Sequence, residues 1–186
     1  MKNLKAIALA LVLSIVSVSA QTKKVDAAKS SINWLAKKVT GQHNGTVNIK
    51  DAALVFKGEK LVGGNFTVDM TSLTDLDLTG EWLGKLNRHL KSEDFFSTAK
   101  FPTSTLVFKT IGAKGKDVYT VTADLTIKGI TNPVTFDITV NGNTATTTFN
   151  VDRTKYDIKY NSKSFFESIG DKAIYDEFEL KVNLKF

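Results

Sequence analysis

YTVTADLTIK, residues 119–128, alternates without a break. Tyr119, Val121, Ala123, Leu125 and Ile127 fall on one side, and Thr120, Thr122, Asp124, Thr126 and Lys128 on the other. Successive side chains of a β-strand point to opposite faces, so this spacing predicts a strand with one buried and one wet face.

The same period recurs outward in both directions. VTFDITV puts Val134, Phe136, Ile138 and Val140 together, FELKVNLKF puts Phe178, Leu180, Val182, Leu184 and Phe186 together, and GNFTVDM aligns Gly64, Phe66, Val68 and Met70. Asn141-Gly142 is a strong hairpin signal that joins Val134–Val140 to a strand at Thr144–Val151, and Lys57-Gly58-Glu59-Lys60 and Lys114-Gly115-Lys116-Asp117 read as further hairpin tips. With INWLAKK (32–38), TVNIKDAALVF (46–56) and STLVFKT (104–110), about eight strands are expected. No repeat or linker interrupts them, so residues 21–186 read as one all-β domain. Eight antiparallel strands with one apolar face each close into a barrel, which removes the exposed edges. At that strand number the interior is either filled by side chains or holds one small ligand.

One segment leaves the period. Trp82, Leu83, Leu86 and Leu90 fall at helical spacing, which predicts one amphipathic helical insertion at about residues 79–96. Asp77 or Thr79 is placed to cap its start and Lys91 to favour its end. Ser92–Phe96 reads as a further short turn of helix, and Pro102 ends the excursion before a strand resumes near Ser104. The apolar stripe, with Phe95, Phe96 and Phe101, is expected to cover a mouth of the barrel.

The N-terminus carries a different message. Lys2 and Lys5 precede an apolar run from Ala6 to Val18, and Val18-Ser19-Ala20 has the small residues a signal peptidase needs. Residues 1–20 therefore read as a cleaved secretory signal, which predicts a periplasmic or secreted chain. The run is short for a span of about 20 residues. There is no Cys, so the domain has neither disulfide nor lipidated cysteine and depends on its apolar core. The formal charge of +6 falls to +4 once Lys2 and Lys5 leave, and the lysines are scattered, which argues against a nucleic-acid partner.

Catalytic patterns are missing. With two His and no Cys, neither HExxH nor CxxC occurs, and GxSxG is absent. Asp75-Leu76-Asp77 reads as a cap before the helix, and His89 as a hydrogen-bonded structural residue. Gly41 and Gly63-Gly64 lack the strand-to-helix context of a phosphate loop. The reading is a non-enzyme with no metal and no cofactor beyond a bound lipid. An integral outer-membrane barrel, with the apolar faces turned out to lipid, is the less favoured arrangement. A structural or stress-protective barrel with a filled core is the stronger competitor.

Four segments carry a resemblance: RHLKSEDFFSTAKFP (88–102), ADLTIKGITNPVTF (123–136), VDRTKYDIKY (151–160) and TGQHNGTVNIKDAALVF (40–56). Together they resemble the YceI-like family of exported, lipocalin-like barrels associated with polyisoprenoid binding. The last segment has Ala52-Ala53 where the family commonly has Gly. The resemblance implies an eight-stranded antiparallel lipocalin-like barrel with a helical insertion and a long apolar channel for an isoprenoid chain.

On that footing the expected wall is Phe66, Val68, Met70, Phe108, Leu125, Ile127, Phe136, Ile138, Phe149 and Val151. Leu86, Leu90, Phe95 and Phe96 are expected at one end. Arg88, His89, Lys91, Arg153 and Tyr156 are the candidates for a head group, with Tyr160 as a further hydroxyl at the rim. Ion pairs with Asp94, Asp152 or Asp157 are the competing role for the cations. Phe165 and Phe166 lie in a long loop before the last strand, either packed or forming a second flap. Peripheral membrane contact and oligomeric state, a dimer included, stay open. A micromolar site needs about 8 kcal/mol. At roughly 0.8 kcal/mol per buried CH₂, less several kcal/mol for association, about fifteen to twenty buried carbons supply it.

Overall fold

The structure is a computed structural model that describes residues 19–166 and 170–186. Most of the expected leader, residues 1–18, lies outside the described residues, as do residues 167–169 of the long loop. The elements run β1 (Ala20–Lys24), β2 (Ser31–Lys38), β3 (Gly41–Lys57), β4 (Lys60–Asp75), α1 (Gly80–Lys91), β5 (Thr103–Gly115), β6 (Val118–Ile127), β7 (Ile130–Asn141), β8 (Thr144–Asp152) and β9 (Ile174–Lys185).

The strands form one antiparallel sheet in the order β1-β3-β2-β9-β8-β7-β6-β5-β4, and the β3–β4 pairing closes it. Both β1 and β2 pair with β3, but on successive stretches: β1 with Ala53–Lys57 and β2 with Gly41–Val47. They are one track broken by a 3₁₀ turn at Ala27–Lys29, where the Asp26 side chain accepts from the Ala28 N–H. The closed barrel therefore has eight tracks, as the alternation predicts.

The register matches the sequence period. Val121, Ala123, Leu125 and Ile127 of β6 are buried, as are Phe136, Ile138 and Val140 of β7. Their outward neighbours form a hydroxyl ladder, with Thr122–Thr135 at 3.1 Å and Thr126–Thr131 at 2.7 Å. An outer face of Thr, Asp and Lys is the reverse of what a lipid-embedded barrel presents. Two apolar clusters result. The larger, with Leu54, Val121 and Ile138, lines the barrel interior, and the smaller, with Phe95, Val151, Tyr156 and Ile158, lies beneath the loops at one end. Each fully buried aliphatic side chain contributes roughly 1.5–3 kcal/mol.

Three expectations change. The helix stops at Lys91 rather than near 96. Ser92 leaves helical backbone with ψ 176°, its hydroxyl donates to the His89 carbonyl, and residues 93–96 form turns. At the helix start Thr79 makes no side-chain cap, whereas Asp75 Oδ1 accepts from the N–H groups of Asp77 and Leu78 and shapes the approach. Finally, β7 starts at Ile130, earlier than the alternation from Val134 suggests, and contains Pro133. It pairs with β6 along its length but with β8 only over Ile138–Asn141. Pro133 thus sits beside a gap in the ladder, an edge-like position that tolerates proline. The gap is covered by the turn Arg153–Tyr156, through Asn132 Nδ2 donating to the Lys155 carbonyl.

Candidate functional site

Inward-facing positions of every barrel track leave an elongated apolar cavity with a volume of about 160 Å³. Aromatic rings run around its wall. Phe66 lies 5.6 Å from Phe108, Phe108 lies 6.0 Å from Phe136, and Phe136 stacks on Phe149 at 4.5 Å. Phe96 meets Phe178 edge-on at 6.3 Å.

One end carries α1, the turns after it, and the segment between β8 and β9. Helix α1 packs beside β4, and Leu90 reaches the cavity. Trp82, expected on the apolar stripe, instead points outward and is 68% exposed. Lys128 joins the two loop segments by donating to the carbonyls of Glu93 and Asp157.

Polar groups in the cavity wall are few. Arg153 is 4% exposed, and its guanidinium is spent largely on backbone. Nη1 donates to the Ile158 carbonyl at 2.8 Å, Nη2 to Ile174 at 3.0 Å and Nε to Tyr175 at 3.1 Å. Its ion-pair partner is Asp176, 3.5 Å away, rather than Asp94, Asp152 or Asp157, although Asp152 is near enough to add to the negative field on it. That ion pair is too long for a good hydrogen bond, and Asp176 Oδ2 instead accepts from the Ser164 hydroxyl. Burial lowers the Arg153 pKa, with Asp176 opposing it, but a guanidinium stays charged. Ser104 Oγ is also in the wall, buried and without a hydrogen-bond partner among the described residues.

Of the expected wall, Phe66, Val68, Met70, Phe108, Leu125, Ile127, Phe136, Ile138 and Phe149 line the cavity, joined at the end by Leu90, Phe95 and Phe96. Val151 is buried in the smaller cluster and Leu86 stays on the half-buried side of the helix, both outside the lining. Among the head-group candidates Arg153 alone reaches the cavity. Arg88 is exposed along the helix. His89 pairs with Asp94 at 3.1 Å and meets Phe95 and Tyr160 edge-on. Lys91 is half-buried at the helix end. Tyr156 is buried rather than at a rim, and its hydroxyl lacks a partner among the described residues. Burial pushes its pKa up to about 12. Phe165 and Phe166 are half-exposed, with both N–H groups on the Ser162 carbonyl.

Sequence reasoning passed over several lining residues, including Ile32, Trp34, Leu180 and Val182. Their signal was present in the alternation of INWL and FELKVNL. Ser104 shares the inward side of its strand with Leu106 and Phe108, which was the available clue to a polar group in the wall.

Comparison with known proteins places this geometry. The family model described as YceI-like domain matches residues 24–186. A UPF0312 protein of Shewanella denitrificans is 42% identical over 48 residues, which is 26% of this chain and 25% of that protein. The match thus spans only a quarter of that curated relative's length. Among solved structures, Burkholderia cenocepacia BcnA is similar at a TM-score of 0.69 and 26% identity, covering 86% of this chain and 98% of BcnA. A polyisoprenoid binding domain from Saccharophagus degradans, implicated in plant cell wall breakdown, aligns at a TM-score of 0.58 and 12% identity, over 90% of this chain and 97% of that one.

Proposed function

The chain belongs to the YceI-like domain family, and from that premise we propose that it is an exported lipid-binding protein whose barrel holds one long apolar chain of isoprenoid type. Transport, storage or stress protection of that lipid is the role. The observation that carries the reading is the elongated cavity, walled by apolar side chains from every track of the barrel. Such a tube recognises length and flexibility, with burial rather than hydrogen bonding as the driving force. The isoprenoid class draws support from the Saccharophagus degradans domain, described as polyisoprenoid binding.

The void sets a condition on entry. A dry cavity of about 150 Å³ accommodates a ligand of roughly benzene size, and the space here is about 160 Å³. A tail of fifteen to twenty carbons therefore enters by swinging the aromatic rings of the wall, Phe66, Phe108, Phe136 and Phe149 among them. Its polar end rests near Arg153 and Ser104. Binding, not turnover, is the activity. Export rests on the leader-like residues 1–20, which would deliver the domain to the periplasm or beyond.

The small void also favours a second reading, a protective barrel whose own side chains fill it. Native mass spectrometry of protein purified from its own host separates the two. A co-purified lipid, identified after organic extraction, supports the carrier. An apo mass, together with no thermal shift on adding polyprenyl phosphate or a quinone, supports the filled barrel and overturns the carrier.

A further inference from the structure

At the helix-bearing end, outside the cavity lining, three ligating side chains converge from different elements. His43 lies near the start of β3, Asp75 is the last residue of β4, and Asp77 is in the turn that leads to α1. His43 Nδ1 is 3.1 Å from Asp77 Oδ2 and 3.7 Å from Asp75 Oδ2, and the three ligand atoms all lie within 4.8 Å of one another.

The two carboxylates are already oriented. Asp75 Oδ1 accepts from the N–H of Asp77 at 3.1 Å and of Leu78 at 2.8 Å, and Asp77 Oδ1 accepts from the N–H of Asn44 at 3.2 Å. One oxygen of each is thus fixed by backbone, and the other is turned to the imidazole. A second, independent observation concerns Asp75 alone. Its side chain is 0% exposed, yet Oδ2 has no hydrogen-bond partner among the described residues. A buried carboxylate oxygen left unsatisfied is destabilising, and such groups in native folds usually mark an ion, a water or a function. Burial raises the Asp75 pKa, while Asp75 and His43 hold that of Asp77 down.

We propose that His43, Asp75 and Asp77 form a binding site for a divalent first-row transition ion, with water completing its coordination. An ion about 2.0–2.2 Å from each donor sets neighbouring donors roughly 3.0–3.6 Å apart, for octahedral and tetrahedral arrangements respectively. The two separations from His43, 3.1 and 3.7 Å, need only a small closing movement, and the two carboxylate donors lie within 4.8 Å of each other. An imidazole nitrogen with two carboxylate oxygens suits zinc and its neighbours rather than calcium, which takes six to eight oxygens. His43 and Asp77 side chains are 25% and 32% exposed, so the open face admits water.

The bound ion ties β3, β4 and the helix approach together at the barrel end. It also lies beside the cavity wall. Asp75 pairs with Gly45, and Gly45 pairs on its other side with Trp34, whose ring lines the cavity.

Calorimetric titration of the EDTA-treated chain with ZnCl₂, and visible absorption with Co²⁺, test the site. The expected result is saturable one-to-one binding, a raised melting temperature and cobalt ligand-field bands. His43→Gln and Asp77→Asn should each weaken binding by at least about tenfold, while His89→Gln, which alters the other histidine, leaves it unchanged. No saturable binding by the wild-type chain overturns the site, as does equal binding by folded His43→Gln. If either variant fails to fold, imidazole ¹⁵N spectra of the wild-type chain decide. A zinc-dependent shift of His43 supports the proposal, and a shift confined to His89 overturns it.

Discussion

Phe136 and Phe149 stack with ring centroids 4.5 Å apart and planes 16° from parallel, at the point where the β7–β8 ladder stops. The last ladder pair in that direction is Ile138 with Thr147, so these rings occupy the next facing position in the same register. Side-chain stacking continues the barrel wall where backbone hydrogen bonds do not.

Phe149→Ala should therefore cost about 3 kcal/mol, the low end of the range for a buried Phe because Phe149 is only half-buried. The same change should widen the cavity and move the preferred length of a fluorescent fatty-acyl probe upward. Phe149→Leu should cost less than about 1.5 kcal/mol. Urea denaturation and probe titration measure both effects. A loss below about 1 kcal/mol for the Ala variant would show that the stack does not hold the seam shut.

Arg153 gives a second test, since its guanidinium holds three carbonyls from two segments, Ile158 on one side and Ile174 and Tyr175 on the other. Lys has no fork and reaches at most part of this set. Arg153→Lys and Arg153→Met should both destabilise by about 3 kcal/mol or more, because the buried carbonyls lose their donors and, in the Met variant, Asp176 also loses its counter-charge. Wild-type stability of the Lys variant in a urea melt would show that the fork geometry is dispensable.

The barrel was legible because alternation is a local property. In β6 five apolar residues in register specify the inward face without reference to any partner strand. The same reasoning extends to Trp34 and Leu180, which belong to alternating runs. Features that depend on neighbours in space were hidden. The helix end depends on Ser92 adopting extended backbone, although Asp94, Phe95 and Phe96 are compatible with another helical turn. Trp82 shares the helical spacing of Leu86 and Leu90 yet faces solvent, because α1 lies against β4 rather than across the cavity. His43 and Asp77 are 34 residues apart, so only the β3–β4 pairing brings them together.

Asp75 yields a pH prediction in metal-free buffer. Burial, and then the neighbouring Asp77, raise its pKa in the fold above 3.8. The proton is held more tightly in the folded than in the unfolded chain, so this contribution is full below 3.8 and is lost as pH rises through the folded value. Asp77 acts oppositely: its lowered pKa gives stability above 3.8 that is lost in stronger acid. Asp75→Asn keeps the oxygen that accepts from Asp77 and Leu78 and removes the buried charge. Its stability relative to wild type in EDTA should rise with pH from about 4 to 8. A constant difference across that range would remove Asp75 as the titrating group. With saturating zinc the order should reverse, because the Asn side chain is a poorer ligand.

Gly45 lies close against both β4 and the Trp34 ring. A Cβ there would lie 2.0 Å from the Thr74 carbonyl oxygen and 2.5 Å from the Trp34 ring. The first contact is backbone, so no rotamer change relieves it, and β3 must part from β4 or lift the indole into the cavity. Gly45→Ala should destabilise by about 3 kcal/mol or more through this overpacking and shift Trp34 fluorescence. Gly112 is the control. A Cβ at that position meets nothing nearer than 4.0 Å, so Gly112→Ala should stay within about 0.5 kcal/mol of wild type or gain slightly. Equal melting temperatures for the two variants would mean that the indole does not rest on Gly45 and that the β3–β4 crossing is looser than the contacts require.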